Sequence, residues 1–144
     1  MAQLLASSVA MCLLLFSVSA SCSDVLAVGP VRVGMKDEEV VRSLGRPAAT
    51  EVRSGFIRKT YYYNGLVVSF DEDMKVAGIR SSHSSYCLDG WLCPGCGFRE
   101  VGERLKTANA TISANKITIY GDGCWVVATG TSGSVKEIDL KCQP

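Results

Sequence analysis

Cys93-Pro94-Gly95-Cys96-Gly97 is the stretch of this chain whose residue types and spacing most directly suggest chemistry. Two cysteines separated by Pro-Gly can act as a redox pair, in which a lowered thiolate pKa makes one sulfur nucleophilic. The same CPGCG can be one knuckle of a zinc ribbon, which needs a second C-x-x-C to complete a tetrahedral site. Cys87, His83, Cys124 and Cys142 do not supply one. The flanks are rich in Gly and Ser, whereas a thioredoxin-like pair follows a strand and opens a helix. The leading reading is therefore a structural staple in which Cys87 pairs with Cys93 or Cys96. A thiol–disulfide oxidoreductase using Cys93 and Cys96 is the alternative function.

Other chemistry-bearing residues are sparser. His83 is the only histidine, and with Cys87 nearby a Cys/His catalytic pair can be drawn. It sits among Ser81, Ser82, Ser84 and Ser85, where a solvated side chain is the expected outcome. Asp71-Glu72-Asp73 could face a hard cation, but it lacks the spaced oxygen ligands of a calcium loop and reads as a charged hairpin tip. Asn109-Ala110-Thr111 is an N-glycosylation sequon, usable in a eukaryotic source; a polar residue just past a helix end explains it equally well. No nucleophile–base–acid triad, phosphate loop or paired-carboxylate site emerges. The expectation is a non-enzymatic protein with no cofactor and no metal.

Export frames these residues. No Asp, Glu, Lys or Arg precedes Asp24, and Met11 to Val18 is an apolar block followed by Ser19-Ala20-Ser21. That pattern is read by signal peptidase, with cleavage expected after Ala20, or as late as Ala27. Cys22 is a candidate lipidation site, and membrane association is expected only if it is lipidated or the signal is retained. The chain is expected to be secreted, periplasmic or in the cell envelope. There the remaining cysteines read as disulfides that help a small domain hold together. Across the chain, 15 basic residues face 14 acidic ones, so no charge surplus exists to condense onto phosphate, and nucleic acid is not an expected partner.

The elements that must position these residues recur in the same order. The expected organisation is a signal peptide over 1–20, a first half over 28–83, a cysteine-rich connector over 84–97 and a second half over 98–144. A short helix is predicted over Asp37 to Leu44 and another over Arg99 to Lys106, each burying Val and Leu. Lys59 to Tyr63 and Leu66 to Phe70 flank Asn64-Gly65, a strong hairpin signal because a type I′ turn needs positive φ at both positions. Lys116 to Tyr120 and Trp125 to Thr129 flank Asp122-Gly123 in the same way. Glu39-Val40 and Leu44 match Glu100-Val101 and Leu105, while Val67-Val68 and Ile79 match Val126-Val127 and Ile138. The expected fold is α+β, with two related halves, each a short helical segment on a three-stranded antiparallel meander stapled by disulfides. A hairpin turning at Thr131 to Gly133 sets Cys124 opposite residues near Leu140. One register step or a bulge would bring it to Cys142.

The first half resembles a known family. Gly34-Met35, Glu38-Glu39-Val40 and Leu44-Gly45-Arg46-Pro47 resemble the opening of the small outer-membrane lipoprotein domain (SmpA/OmlA, BamE-like). Tyr61-Tyr62-Tyr63, Leu66 to Phe70, and Lys75-Val76 with Ile79 follow as its strands. The tandem arrangement is similar to secreted β-lactamase inhibitory proteins. Both resemblances imply a protein that binds another protein and performs no catalysis; neither carries a functional residue onto this chain. The expected binding surface is the sheet face away from the helices. Pairing across Asn64-Gly65 turns Tyr61, Tyr63, Leu66, Val68 and Phe70 inward and leaves Tyr62 and Val67 outside with Thr60 and Ser69. In the second half, matching turns Val127 and Trp125 inward and exposes Ile117, Ile119 and Val126. The opposite choice exposes Trp125. Tyr62, Val67 and Trp125 are the candidate protein-binding residues, and burial of these clusters between the two halves is the competing account.

Overall fold

The Asn64-Gly65 turn sits where the sequence places it, with Gly65 at φ +73°, but Asn64 does not share the positive φ, so the turn is not the expected type I′. It joins β4 (Lys59–Tyr63) to β5 (Leu66–Phe70), pairing Tyr61 with Val68, Tyr62 with Val67 and Tyr63 with Leu66. The computed structural model describes residues 26–106, 108–131 and 133–143. The expected signal segment and Cys22 lie outside them. Preceding this hairpin are a two-stranded ribbon, β1 (Ala27–Val28) and β2 (Val31–Arg32), then α1 (Asp37–Leu44) and β3 (Ala49–Val52). After it come β6 (Val76–Ser81), α2 (Phe98–Arg104), β7 (Ala110–Ile112), β8 (Lys116–Tyr120), β9 (Cys124–Thr131) and β10 (Ser134–Cys142).

The two-halves expectation fails at the sheet. All strands from β3 to β10 form one continuous eight-stranded antiparallel sheet in the order β3-β4-β5-β6-β10-β9-β8-β7. The join is β6 against β10, with Ile138 opposite Ser81 and Leu140 opposite Ile79. There are therefore no separate three-stranded meanders, and the chain is not a tandem of them. An unpaired β6 edge next to an unpaired β10 edge would leave two rows of backbone N–H and C=O groups open, and pairing them removes both. Each end of the sheet also gains a short strand, β3 and β7, that the sequence pattern did not mark.

Both helices serve the same side of this sheet. Val40 of α1, Phe98 and Val101 of α2, and Leu105 just beyond it join one buried cluster with Tyr61, Leu66, Val68, Phe70, Ile79, Val126, Ala128, Ile138 and Leu140. Helix α1 starts without a side-chain cap from Lys36, but the Glu39 carboxylate accepts the Lys36 N–H at 2.8 Å. Its stop follows Leu44: Gly45 takes φ +81°, its N–H donates to the Val41 carbonyl at 2.8 Å, and Pro47 cannot continue the turn.

In β9 the faces are the reverse of those given by matching Val126-Val127 to Val67-Val68. Val126 and Ala128 are buried, whereas Trp125 and Val127 are half-buried on the far side. The turn at Asp122-Gly123 is flanked by Gly121 and Cys124, and the Gly121 N–H donates to the Cys124 carbonyl at 2.9 Å. The equivalent of Leu66 is thus Cys124. A match displaced by one residue inverts every side chain in a strand. Ile117 is accordingly buried and Ile119 packs against the core.

Candidate functional site

The face of the sheet opposite the helices carries two rows of side chains running across the strands. In one row Tyr62 lies beside Val67, Val67 beside Arg80, Arg80 beside Asp139 and Asp139 beside Val127. In the next, Thr60, Ser69, Gly78, Lys141 and Trp125 follow in the same strand order, and Tyr120 flanks Trp125. Between these rows, the β3–β4 loop and the C-terminal end of β10 lies a groove of about 600 Å³. Phe56 and Ile57 of the loop wall one side and Trp125 the other. Tyr62, Val67 and Trp125 all line it, so the structure brings the three sequence-designated surface residues to one place.

Charges ring the groove in closed pairs. Arg53 donates to Glu51 at 2.7 and 2.9 Å, and the Tyr62 hydroxyl donates to the same carboxylate at 2.8 Å. The Arg53 and Tyr62 bonds hold the Glu51 carboxyl below its ordinary pKa; the bond to Glu51 pushes the Tyr62 phenol up. Lys141 lies 2.7 Å from Asp139, and Arg80 reaches Glu137 and Asp139 at 3.7 Å each. Trp125 and Tyr62 thus stand on the sheet beside charges that are already paired within the chain.

The cysteines separate the chemical readings. Cys87 is joined to Cys93, and Cys124 to Cys142. Cys96 is unpaired among the described residues, with its thiol donating to the Trp91 carbonyl at 3.6 Å. Cys93 therefore pairs with Cys87 and not with Cys96. Among the described residues no three His, Cys, Asp or Glu side chains converge as metal ligands. His83 is exposed, and its Nδ1 accepts the Ser85 N–H at 3.2 Å; its neighbour Cys87 is already bonded. Asp71 Oδ1 accepts the Asp73 and Lys75 N–H groups at 2.9 Å each, which ties its carboxylate into the hairpin tip. Asn109 is exposed beside β7, and its carbonyl accepts the Tyr120 N–H at 2.9 Å.

The bridge from Cys124 to Cys142 closes the β9–β10 hairpin, and Cys142 lines the groove. A bulge between Val135 and Glu137 supplies the offset that sets Cys142 opposite Cys124. The sequence did not mark Gly78, Arg80, Asp139, Lys141 or the Phe56-Ile57 loop as parts of the site. One local signal was present: Gly78 in the middle of an apolar strand, a position where glycine often accompanies close approach of another group.

The sequence matches no protein-family model and no curated protein. A cysteine-rich secretory protein from Staphylococcus aureus shares the architecture with a TM-score of 0.62 at 11% identity, over 77% of this chain and 43% of that one. A DUF4309 family protein from Bacillus subtilis aligns with a TM-score of 0.47 at 19% identity, over 75% of this chain and 78% of that one. This chain thus spans less than half of the staphylococcal protein, and the likeness is one of fold. The staphylococcal structure is described as that of a cysteine-rich secretory protein, not of a BamE-like lipoprotein. With the sheet continuous across both halves, the resemblance to SmpA/OmlA and to tandem β-lactamase inhibitory proteins does not hold. Leu44-Gly45-Arg46-Pro47, which suggested it, is a helix stop that many folds use.

Proposed function

We propose that this chain is an exported, non-enzymatic domain that binds another protein through the open face of its sheet, as a cell-envelope assembly factor or a secreted inhibitor does. The observation that carries the reading is the convergence of Tyr62, Val67 and Trp125 on one groove. Large rigid aromatics beside small apolar residues are what interface anchors are made of. Two disulfides in a small domain, and an uncharged apolar N-terminal block, support an oxidising destination outside the cytoplasm. Cys22, outside the described residues, would be the lipidated N-terminus if the protein is membrane-anchored. N-terminal sequencing and intact mass of the native protein test export: a chain still starting at Met1 overturns cleavage, and a diacylglyceryl mass on Cys22 selects the anchored form. A pull-down from the native envelope or culture fluid, with the mature protein and its Tyr62→Ala variant side by side, tests binding. A specific partner retained by the first and lost by the second is the expected result; equal retention overturns the open face as the binding surface.

A further inference from the structure

Gly78 sits in the central part of an eight-stranded sheet, on β6, between Ser69 of β5 and Lys141 of β10. Nothing in the fold demands a glycine there. Its φ is not in the left-handed region, and a Cβ would meet only the Leu140 carbonyl at 3.5 Å and Ser69 Cβ at 3.6 Å, ordinary contacts. Glycine inside a strand weakens it, because the unfolded chain gains freedom and no side chain packs. Gly78 is buried yet lines the groove, so the place its side chain would take lies at the groove's floor, and Tyr62 and Trp125 line the same groove.

Resting on the reading of this face as a protein-binding surface, we infer that the space over Gly78 is an anchor subsite for one uncharged, large apolar side chain on a loop of the partner. The internal pairing of the surrounding charges selects that occupant. Around the groove Arg53, Arg80 and Lys141 are matched by Glu51, Glu137 and Asp139. An incoming carboxylate or ammonium would lose its hydration without finding an uncommitted counter-charge. An aromatic or long aliphatic side chain gives up no charge hydration on leaving water and gains contact with Trp125, Tyr62 and Val67. The groove's volume suits the tip of a loop, with the anchor residue lowest and its backbone near the rim.

The test uses N-acetyltryptophanamide and N-acetylleucinamide as probes, with N-acetyllysinamide and the aspartate analogue as controls, and backbone amide NMR shifts as readout. The uncharged probes are expected to shift Ser69, Gly78 and Arg80, and the charged ones to bind about tenfold more weakly or worse. Gly78→Val fills the space, so it is expected to cut uncharged-probe affinity by about tenfold while leaving the melting temperature equal or higher. Gly78→Ala, whose Cβ meets only ordinary contacts, is expected to give a smaller loss and keeps the test decisive if the valine variant folds poorly. Equal binding of charged and uncharged probes overturns the inference, as does unchanged affinity in both Gly78 variants. Shifts at Tyr62 and Trp125 that bypass Gly78 also overturn it, yet leave the binding face itself standing. No shift anywhere on the face overturns it too, and the protein-binding reading is then judged by the Tyr62→Ala pull-down alone.

Discussion

Lys59 Nζ lies 3.0 Å from Asp37 Oδ2, which ties β4 to the first residue of α1. The Tyr61 hydroxyl reaches the same oxygen at 3.3 Å. The two charged side chains are 25% and 19% exposed, so solvent screens the pair only in part. Burial pushes the Asp37 carboxyl up, but the Lys59 hydrogen bond and charge, with the Glu38 amide and Tyr61 hydroxyl, outweigh it and hold its pKa low. For Lys59, burial acts downward and is outweighed by Asp37 and Tyr61, so its pKa is raised.

The sign of the pH dependence follows. The Asp37 contribution is present above the unfolded carboxyl pKa of about 3.9 and is lost as pH falls through the lower folded value. The Lys59 contribution is present below about pH 10.4 and is lost as pH rises through the higher folded value. Asp37→Asn is expected to cost about 1 kcal/mol at neutral pH. It should also flatten part of the acid limb in denaturant titrations extended to about pH 3. An unaltered acid limb in the variant would show that the pair contributes nothing.

Gly130 is a different kind of glycine from Gly78. A Cβ there would collide with the Ser134 carbonyl and with the Phe98 ring of α2. One of those neighbours is backbone of the adjoining strand and cannot swing away. Gly130→Ala is expected to destabilise by about 3 kcal/mol. Thermal unfolding of Gly130→Ala and Gly78→Ala in parallel should show a marked loss for the first and none for the second.

The two bridges differ in the length of chain they close, with sequence separations of 18 for Cys124–Cys142 and 6 for Cys87–Cys93. Cross-linking restricts the unfolded chain more when the loop is longer. Replacing Cys124 and Cys142 by serine is expected to cost about 3 kcal/mol, and replacing Cys87 and Cys93 about 1 kcal/mol less. Peptide mapping without reduction should recover both pairs, and denaturant midpoints of the two double variants give the order. A larger loss from the Cys87/Cys93 variant would mean that the loop around Leu88 and Leu92 depends on its bridge for packing.

Tyr62→Ala is expected to weaken partner binding about tenfold, as truncating an interface aromatic commonly does. Tyr62→Phe keeps the ring and gives up only the bond to Glu51, so it should bind nearly as the parent does. The melting temperature should barely move in either variant. A large fall in stability without a separate effect on binding would assign Tyr62 to the core.

Local pattern was enough for α1, for β4 and β5 with their register, and for the inward set Tyr61, Leu66, Val68 and Phe70. These depend on turn chemistry and alternation within a few residues. Three features escaped it. The edge strands Ala49–Val52 and Ala110–Ile112 are mostly solvent-exposed and lack alternation, because an edge has little to bury. The pairing of Leu140 with Ile79 joins residues far apart in the chain, and no short window records it. The orientation of Trp125 and Val126 turned on whether Trp125 or Cys124 follows the turn, a single-residue question. Trp125 reached the groove because that register reversed, while the sequence placed Gly78 and Arg80 only beside the strand residues Lys75-Val76 and Ile79.

The junction of β6 with β10 has a consequence for how the protein is made. The sheet's central seam joins β6 to β10, so during synthesis β6 has no neighbour on one side until β10 arrives. Closing that seam joins strands separated by α2 and β7 to β9, a long-range pairing of the kind that slows antiparallel folds of high contact order. In the interval, Val76 to Ser81 is an open apolar edge able to pair with the same segment of another chain. Loss of β10 would therefore leave an aggregation-prone half-sheet, and this strand acts as the lid that ends that exposure.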